Sequence, residues 1–281
     1  MFQSDLLAGQ RVLISGGGTG LGKSMGRRFM ELGADLVICG RRADVLAATA
    51  AEHESATGRT CTTHALDIRD VEAVEAMVGE LFEERPPDVL VNNAAGNILA
   101  RSEELSPRAV DAVTGIVMKG SCNLTLACGR RWLAAERPAT VLSIVTSYAW
   151  TGSAFVLPSA MAKAAVLAMT RSLAVEWGGR GIRLNAIAPG PFPTQGAWER
   201  LVPRAEHASV FETRNPLRRP GEHRELADLA AYLIAGGSGF VNGEVVTIDG
   251  GEWLKGAGQF SFLEEMMSED DWQAMRAERK R

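Results

Sequence analysis

The chain has 281 residues, of which 46% are hydrophobic, and its formal net charge is −4. This length allows a single α/β domain with a sizeable core, and the acidic balance with scattered basic residues excludes a nucleic-acid partner. No apolar run reaches the ~18 residues of a membrane-spanning helix, so no membrane partner is expected. Because it has no secretory, transit or peroxisomal signal, the sequence predicts a cytoplasmic protein.

Short apolar runs alternate with helical patterns along the chain. The predicted strands are Arg11–Ser15, Asp35–Cys39, Thr60–Leu66, Val89–Val91, Ala139–Val145, Ile182–Ile187 and Glu244–Ile248. The predicted helices are Gly20–Leu32, Asp44–Thr57, Asp70–Glu84, Ser106–Ala135, Phe155–Trp177 and His223–Ala235. Strands separated by helices of crossover length predict an α/β Rossmann fold, in which one domain over residues 1–281 holds a doubly wound, seven-stranded parallel sheet with helices on both faces.

The chain contains four cysteines, which are Cys39, Cys61, Cys122 and Cys128. Their spacing matches neither a metal site nor a redox pair, so we interpret them as small buried hydrophobic residues. The sequence therefore predicts no metal centre.

The turn after the first predicted strand is rich in glycine, with the sequence SGGGTGLG over residues 15–22. It follows a strand and opens a helix, which is the context that a dinucleotide-binding fingerprint requires. Glycines let the backbone approach a pyrophosphate, and the N–H groups at the helix start bind its charge. The predicted cofactor contacts in this turn are Gly16, Gly18, Thr19, Gly20, Leu21 and Gly22.

The turns after the second and third strands carry charged side chains. Arg41 and Arg42 stand where a site for NAD would have an acidic residue, and two guanidinium groups suit the 2′-phosphate of NADPH. The alternative is a solvated surface pair. In the third turn, Asp67 is predicted to hold the adenine amino group, whereas Arg69 faces either solvent or an anionic substrate.

The turn after the fourth strand, NNAAGN over residues 92–97, combines small residues with amides. Here the chain must pass close to the cofactor, so Asn93, Ala94 and Gly96 are predicted cofactor contacts, with Asn92 and Asn93 also bonding neighbouring strands. Asn97 lies after the glycine with its amide free to donate, which makes it a candidate donor to an oxyanion.

Tyr148 lies just after the fifth strand, and Lys163 follows Ser159 by one helical turn. A phenol, a hydroxyl and an ammonium that meet in one crevice form a constellation found in oxidoreductases. The alternative for Tyr148 is an aromatic ring that packs a loop.

These motifs, together with Pro189-Gly190-Pro191, resemble the short-chain dehydrogenase/reductase family over nearly the whole chain. The usual member carries Ser…Tyr-x-x-x-Lys. In this sequence Ser159 stands at the tyrosine position, Thr146 at the serine position and Val117 at that of a helix asparagine.

One branch of the family, the 2,4-dienoyl-CoA reductases, is similar in the segments GGGTGLGK, GRRADVL, NNAAGN, TSYAWTGS, PSAMAKA and DGGEWL. That resemblance implies a catalytic pair of Tyr148 and Asn97, supported by Ser159 and Lys163. It also implies that the cofactor contacts include Lys163, Pro189, Gly190 and Thr194. The implied contacts to the acyl-CoA substrate are Arg41, Arg69, Ser106, Tyr148 and Arg200.

The resemblance implies an NADPH-dependent reduction of 2,4-dienoyl-CoA in β-oxidation of unsaturated fatty acids, by a homotetramer that releases a trans-3-enoyl-CoA. Residues 191–220, rich in proline and arginine, are expected to form a substrate lid, and residues 256–281 a C-terminal extension with a short extended piece and an amphipathic helix. A trans-2-enoyl-CoA or 3-oxoacyl reductase is the alternative enzyme. A catalytically silent nucleotide-binding sensor is the alternative outside enzymes, because the Tyr-x-x-x-Lys pattern is missing.

Overall fold

Parallel strands alternate with helices in a computed structural model that describes residues 2–194 and 213–278. Within these residues, strands β1 to β7 span Arg11–Ser15, Asp35–Gly40, Cys61–Ala65, Val89–Asn92, Ala139–Ile144, Ile182–Pro189 and Val245–Ile248. They form one sheet in the order β3-β2-β1-β4-β5-β6-β7, and every neighbouring pair is parallel. The order reverses beside β1, so the predicted doubly wound parallel sheet is confirmed.

Helices connect the strands and follow the last one. Those before the undescribed segment, α1 to α7, span Gly20–Glu31, Ala43–Thr57, Val71–Glu84, Pro107–Thr114, Ser121–Ala134, Tyr148–Thr151 and Leu157–Gly178. Those after it, α8 to α11, span His223–Ile234, Glu252–Ala257, Leu263–Met266 and Glu269–Glu278. No helix among the described residues is long and apolar enough to cross a membrane.

Several helices begin one or two residues away from their predicted first residue, and the reasons are local. Asp70 caps α3, since its carboxylate accepts a hydrogen bond from the Ala73 N–H, so the helix itself begins one residue later. The predicted start at Phe155 is wrong, because Phe155 has φ +66°, in the left-handed region that a right-handed helix excludes. Helix α7 therefore begins at Leu157, with Pro158 in its first turn.

The core lies on both faces of the sheet, as successive side chains of β1 show. Val12 and Ile14 belong to a cluster with Phe29 of α1, whereas Leu13 belongs to a second cluster with Trp132 of α5. All five residues of β1 are buried, as expected for a central parallel strand. Of the four cysteines, three are buried and Cys122 is half-buried.

The long helical region predicted over Ser106–Ala135 is not uniform. Between α4 and α5, residues Gly115–Gly120 form a wider π-helical segment. A side chain at Gly120 would collide with Ile68, and Asn123 Nδ2 donates to Ile68 O at 3.0 Å. The wide segment and its glycine therefore hold the turn after β3 against the helix.

Two predictions lie near the C-terminal part of the chain. Most of the predicted lid, together with Arg200, falls in residues 195–212 and lies outside the described residues. The predicted extended piece of the C-terminal extension is wrong, because residues 258–262 form turns that lead into α10. Their backbone groups bond locally, as in Leu263 N–H to Phe260 O at 3.0 Å, instead of pairing with a strand. The predicted amphipathic helix is α11.

Candidate active site

The carboxyl ends of β1 to β4 enclose a cleft. Eight of its lining residues belong to the predicted cofactor site, namely Gly16, Gly18, Thr19, Arg41, Arg42, Asp67, Asn93 and Ala94. Turns far apart in sequence therefore meet at one edge of the sheet, where open α/β folds bind ligands.

The glycine turn after β1 leaves no room for larger residues. Gly16 has φ +68°, and a Cβ there would lie 3.0 Å from the Ala94 Cα. A Cβ at Gly22 would collide with the Gly16 carbonyl. Helix α1 begins at Gly20, and Thr19 before it makes no side-chain capping bond. The first N–H groups of α1 are thus suited to bind an anion.

Asn93 holds this turn in place. Its Nδ2 donates to Ser15 O at 3.0 Å and Gly16 O at 3.1 Å, while Ser15 Oγ accepts from the Asn93 and Ala94 N–H groups. The side chain also lines the cleft. Asn92 is buried, and its Nδ2 donates to Thr125 Oγ1 on α5 at 2.8 Å and to Ser143 Oγ on the neighbouring strand β5 at 3.5 Å.

Arg41 and Arg42 lie at the rim of the cleft and are exposed. Among the described residues, neither guanidinium forms an ion pair, so both charges are available to an anion. A dinucleotide phosphate fits this rim, because two unpaired cations stand where an NAD site would present a carboxylate.

Asp67 and Arg69 pair with each other in the turn after β3. Arg69 Nε lies 3.0 Å from both Asp67 carboxylate oxygens and Nη2 lies 2.5 Å from Oδ2. This pairing lowers the pKa of Asp67, with a smaller contribution from Arg41. Asp67 lines the cleft, whereas the Arg69 guanidinium is partly exposed beside it.

Tyr148, Ser159 and Lys163 come together at the end of β5. The Tyr148 phenol oxygen lies 3.1 Å from Ser159 Oγ, and Lys163 Nζ donates to Ile144 O. Ser159 is 2% exposed and Lys163 is 6% exposed. Burial lowers the pKa of the Lys163 ammonium to about 8. A phenol bonded to a buried hydroxyl, next to a buried cation, can donate a proton or stabilise an anion.

Asn97 presents a free donor after β4. Its Oδ1 accepts from the Ile98 N–H at 2.9 Å, so Nδ2 is the remaining polar atom, and no hydrogen bond from Nδ2 occurs within the described residues. Ala100 N–H donates to Phe155 O at 3.0 Å, which ties the Asn97 loop to the loop between α6 and α7. Asn97 thus lies in the loop after β4 and Tyr148 at the start of α6 after β5, and these two strands are adjacent.

Other predicted site residues lie at the edges of this region. Ser106 caps α4, and its exposed Oγ accepts from the Ala109 N–H at 3.2 Å. Pro189 ends β6, and the Gly190 N–H donates to Ile248 O at 2.9 Å. Gly96 approaches Ile116.

Two of the positions that differ from the usual family pattern, Val117 and Thr146, carry a side chain that is apolar or has no hydrogen-bond partner among the described residues. Val117 is buried in the π-helical segment. Thr146 Oγ1 is buried without a hydrogen-bond partner among the described residues. Leu21 is partly buried and packs against the core.

The apolar walls of the cleft were not predicted from the sequence. Val45, Leu46, Leu66 and Ile116 line it beside the charged residues. The first three follow the ends of β2 and β3, so their position next to the charged turns could have predicted that they line the cleft. Ile116 comes from the π-helical segment, which no local pattern indicated.

A family model described as enoyl-(acyl carrier protein) reductase matches residues 16–252. A Caenorhabditis elegans protein named probable 2,4-dienoyl-CoA reductase 3, (3E)-enoyl-CoA-producing, is 41% identical over 90% of this chain and 83% of its own. A Bacillus subtilis (strain 168) protein named probable 2,4-dienoyl-CoA reductase, (2E)-enoyl-CoA-producing, is 38% identical over 86% of this chain and 96% of its own.

Solved structures share the fold. A gluconate 5-dehydrogenase from Burkholderia cenocepacia J2315, in complex with NADP and tartrate, superposes with a TM-score of 0.83 at 28% identity, over 89% of this chain and 98% of that one. A protein of this fold was thus solved in complex with NADP.

Proposed function

The chain belongs to the short-chain dehydrogenase/reductase family of oxidoreductases, in the branch of the 2,4-dienoyl-CoA reductases, and from this premise we propose that it reduces 2,4-dienoyl-CoA thioesters with NADPH. The observation that carries the proposal is the arrangement of donors. The phenol that the common family pattern places four residues before the lysine is replaced by Ser159, and Tyr148 bonds to that serine from the start of α6.

The cofactor half of the proposal rests on the cleft. When bound, NADPH supplies the hydride that reduces the diene. The first N–H groups of α1 would hold its pyrophosphate, Arg41 and Arg42 its 2′-phosphate, and Asp67 its adenine. The buried Lys163 ammonium would bind the nicotinamide ribose, since it has three N–H donors and only Ile144 O accepts from it among the described residues.

The substrate half rests on where negative charge develops. In a dienoyl thioester the hydride arrives at the δ carbon, and the charge moves through the conjugated bonds to the thioester oxygen. Stabilisation then requires donors at an oxygen that lies far from the carbon that accepts hydride. Asn97 Nδ2 and the Tyr148 hydroxyl are the available donors. For Tyr148 to donate there, Ser159 must donate to the phenol oxygen, and the 3.1 Å contact permits this direction.

A proton from water then adds to a carbon of the dienolate and gives the neutral product. Protonation at the α carbon gives a 3-enoyl product, and protonation at the γ carbon gives a 2-enoyl product. We propose the trans-3-enoyl-CoA, formed during β-oxidation of unsaturated fatty acids, with Arg69, Ser106 and Arg200 as contacts to the CoA portion. The exposed Arg69 and Ser106 are accessible to such a ligand, and Arg200 rests on the resemblance alone.

The deciding experiment mixes the purified full chain with NADPH and 2,4-hexadienoyl-CoA and follows the absorbance of cofactor and diene. We expect both to fall together, with faster turnover than NADH supports. Turnover of acetoacetyl-CoA without turnover of the dienoyl thioester would instead indicate a 3-oxoacyl reductase. NADPH binding without turnover of any thioester would favour the nucleotide-binding sensor.

We also propose a cytoplasmic homotetramer. Helix α7 supports this assembly, since Leu157, Met161 and Val175 on it are exposed although apolar, and a face of this kind suits a second copy. Light scattering of the purified chain should give the mass of four chains, and a monomer mass would contradict the assembly.

A further inference from the structure

The segment that leaves β6 is held by donors from elsewhere in the chain. Residues 191–194, which we call the proline strap, have the sequence PFPT. Pro191 and Pro193 lack an N–H group, so at these positions the backbone can only accept hydrogen bonds. The Gly221 N–H donates to Pro191 O at 2.9 Å, and the Phe192 ring occupies the space where a side chain at Gly221 would lie.

The second donor is His223, the first residue of α8. Its Nε2 lies 2.6 Å from Pro193 O, and its Nδ1 lies 2.7 Å from Ser24 Oγ on α1. A carbonyl oxygen can only accept, so the proton must be on Nε2. The half-buried ring therefore bridges the proline strap and the helix that follows the glycine turn.

This bridge holds in either protonation state of the ring. In the neutral ring, the Ser24 hydroxyl donates to Nδ1. In the charged ring, Nδ1 donates to Ser24 Oγ, and the serine proton turns to Gly20 O, which lies 3.2 Å away. Both nitrogens of His223 stay bonded in each case, so the bridge does not depend on the charge.

The bridge ends beside the cofactor cleft. Thr194 follows Pro193, and its Cγ2 lies 3.4 Å from the point that a Cβ of Gly20 would occupy. Gly20 begins α1, whose first N–H groups face the pyrophosphate position in the proposed function. A bond that fixes Pro193 thus also fixes Thr194 over the start of that helix.

We propose that His223 is a positioning residue for cofactor binding, which holds the proline strap on α1 so that Thr194 closes over the pyrophosphate turn. The inference rests on the proposed use of this cleft for NADPH. His223 itself does not line the cleft, so it acts through Pro193 and Ser24.

The test uses the full chain with His223→Phe, which removes both bonds, and His223→Gln, whose amide can still donate to Pro193 O. Fluorescence titration should show about tenfold weaker NADPH binding for His223→Phe, the order expected from losing a hydrogen bond. His223→Gln should recover most of the affinity. Ser24→Ala keeps the Pro193 bond and should lose less than His223→Phe. The matched control is His64→Phe on β3, which should bind NADPH as the wild type does.

A second readout needs no cofactor. Hydrogen exchange of the Gly221 amide, which bonds to Pro191 O, should accelerate in unliganded His223→Phe and stay slow in His223→Gln. Wild-type NADPH affinity in His223→Phe, or equal losses in His223→Phe and His223→Gln, would overturn the inference.

The experiments also allow for a variant that does not fold and for a chain that binds NADPH without reducing dienoyl-CoA. If His223→Phe does not fold, His223→Asn replaces it, because its shorter amide cannot reach Pro193 O. Equal NADPH affinity in the Asn and Gln variants would then overturn the inference. A wild-type chain that binds NADPH but reduces no dienoyl-CoA would contradict the proposed substrate and leave the role of His223 decided by the same titrations.

Discussion

The donor set at the end of β5 depends on one hydroxyl contact, between Tyr148 and Ser159 at 3.1 Å. Ser159 is 2% exposed, so its hydroxyl requires a partner inside the protein, and the phenol supplies it. With Ser159 as the donor of this bond, the phenol keeps its own proton for a ligand. The serine at the usual tyrosine position therefore orients the relocated phenol.

Replacing Tyr148 by Phe should lower kcat for 2,4-hexadienoyl-CoA by about 10²–10³, the usual effect of removing one donor to an oxyanion. The NADPH affinity should change little, because the phenol makes no described contact with the cofactor turns. The chain offers a matched control, since its only other tyrosine is Tyr232, which is partly exposed on α8. Tyr232→Phe should keep the wild-type rate, and an unchanged rate in Tyr148→Phe would return that ring to a packing role.

At the scale of elements, the π-helical segment positions the turn that carries Asp67. Its two ends pack closely against that turn, since a Cβ at Gly115 would lie 3.2 Å from Arg69 Cδ and one at Gly120 would collide with Ile68. π-Helical segments are often found at functional sites. Here the wider turn brings the helix close enough for Asn123 to bond Ile68 O.

Gly120→Ala should therefore destabilise the fold by about 1–3 kcal/mol, as expected for an overpacked site. Gly79→Ala is the matched control in α3, where an added methyl group would make only an ordinary contact with the Arg131 guanidinium at 3.6 Å. That change should stabilise the chain by up to ~1 kcal/mol, because alanine favours a helix over glycine. Urea unfolding measures both values, and equal effects of the two substitutions would contradict the packing argument.

At the scale of the whole molecule, the sequence predicted the sheet and the turns around its cleft but not the contacts between distant segments. Each turn motif is local, so residue spacing was enough to predict the position of Gly16, Arg41 and Asn93. The His223–Ser24 contact joins residues 199 positions apart, and no periodicity reveals it. The extended piece after Gly258 was predicted wrongly because a strand needs a neighbouring strand, which a local pattern cannot supply.

Acid stability is a second property of the whole molecule, and it depends on a histidine of α2 whose ring contacts α1. His53 is fully buried, and its Nε2 lies 3.1 Å from Lys23 O, so the proton is on Nε2. Its Nδ1 is buried without a partner among the described residues. Burial lowers the pKa of His53 below its ordinary 6.5, and the nearby Glu52 charge only partly opposes this effect.

Because the unfolded chain takes up a proton at this histidine and the folded chain does not, His53 should make the free energy of unfolding fall as the pH drops below about 6.5. Its contribution is fully present above that pH and is lost progressively towards the lower folded pKa, by at most ~1.4 kcal/mol per pH unit. Carboxylates with lowered pKa values, such as Glu225, lose their contribution mainly at lower pH. Burial raises the pKa of Glu252, so that group also contributes in this range, and urea unfolding between pH 6.5 and 5.0 must compare a His53 variant with the wild type. His53→Gln, which can still donate to Lys23 O, should flatten this slope, and parallel slopes in variant and wild type would show that His53 does not limit acid stability.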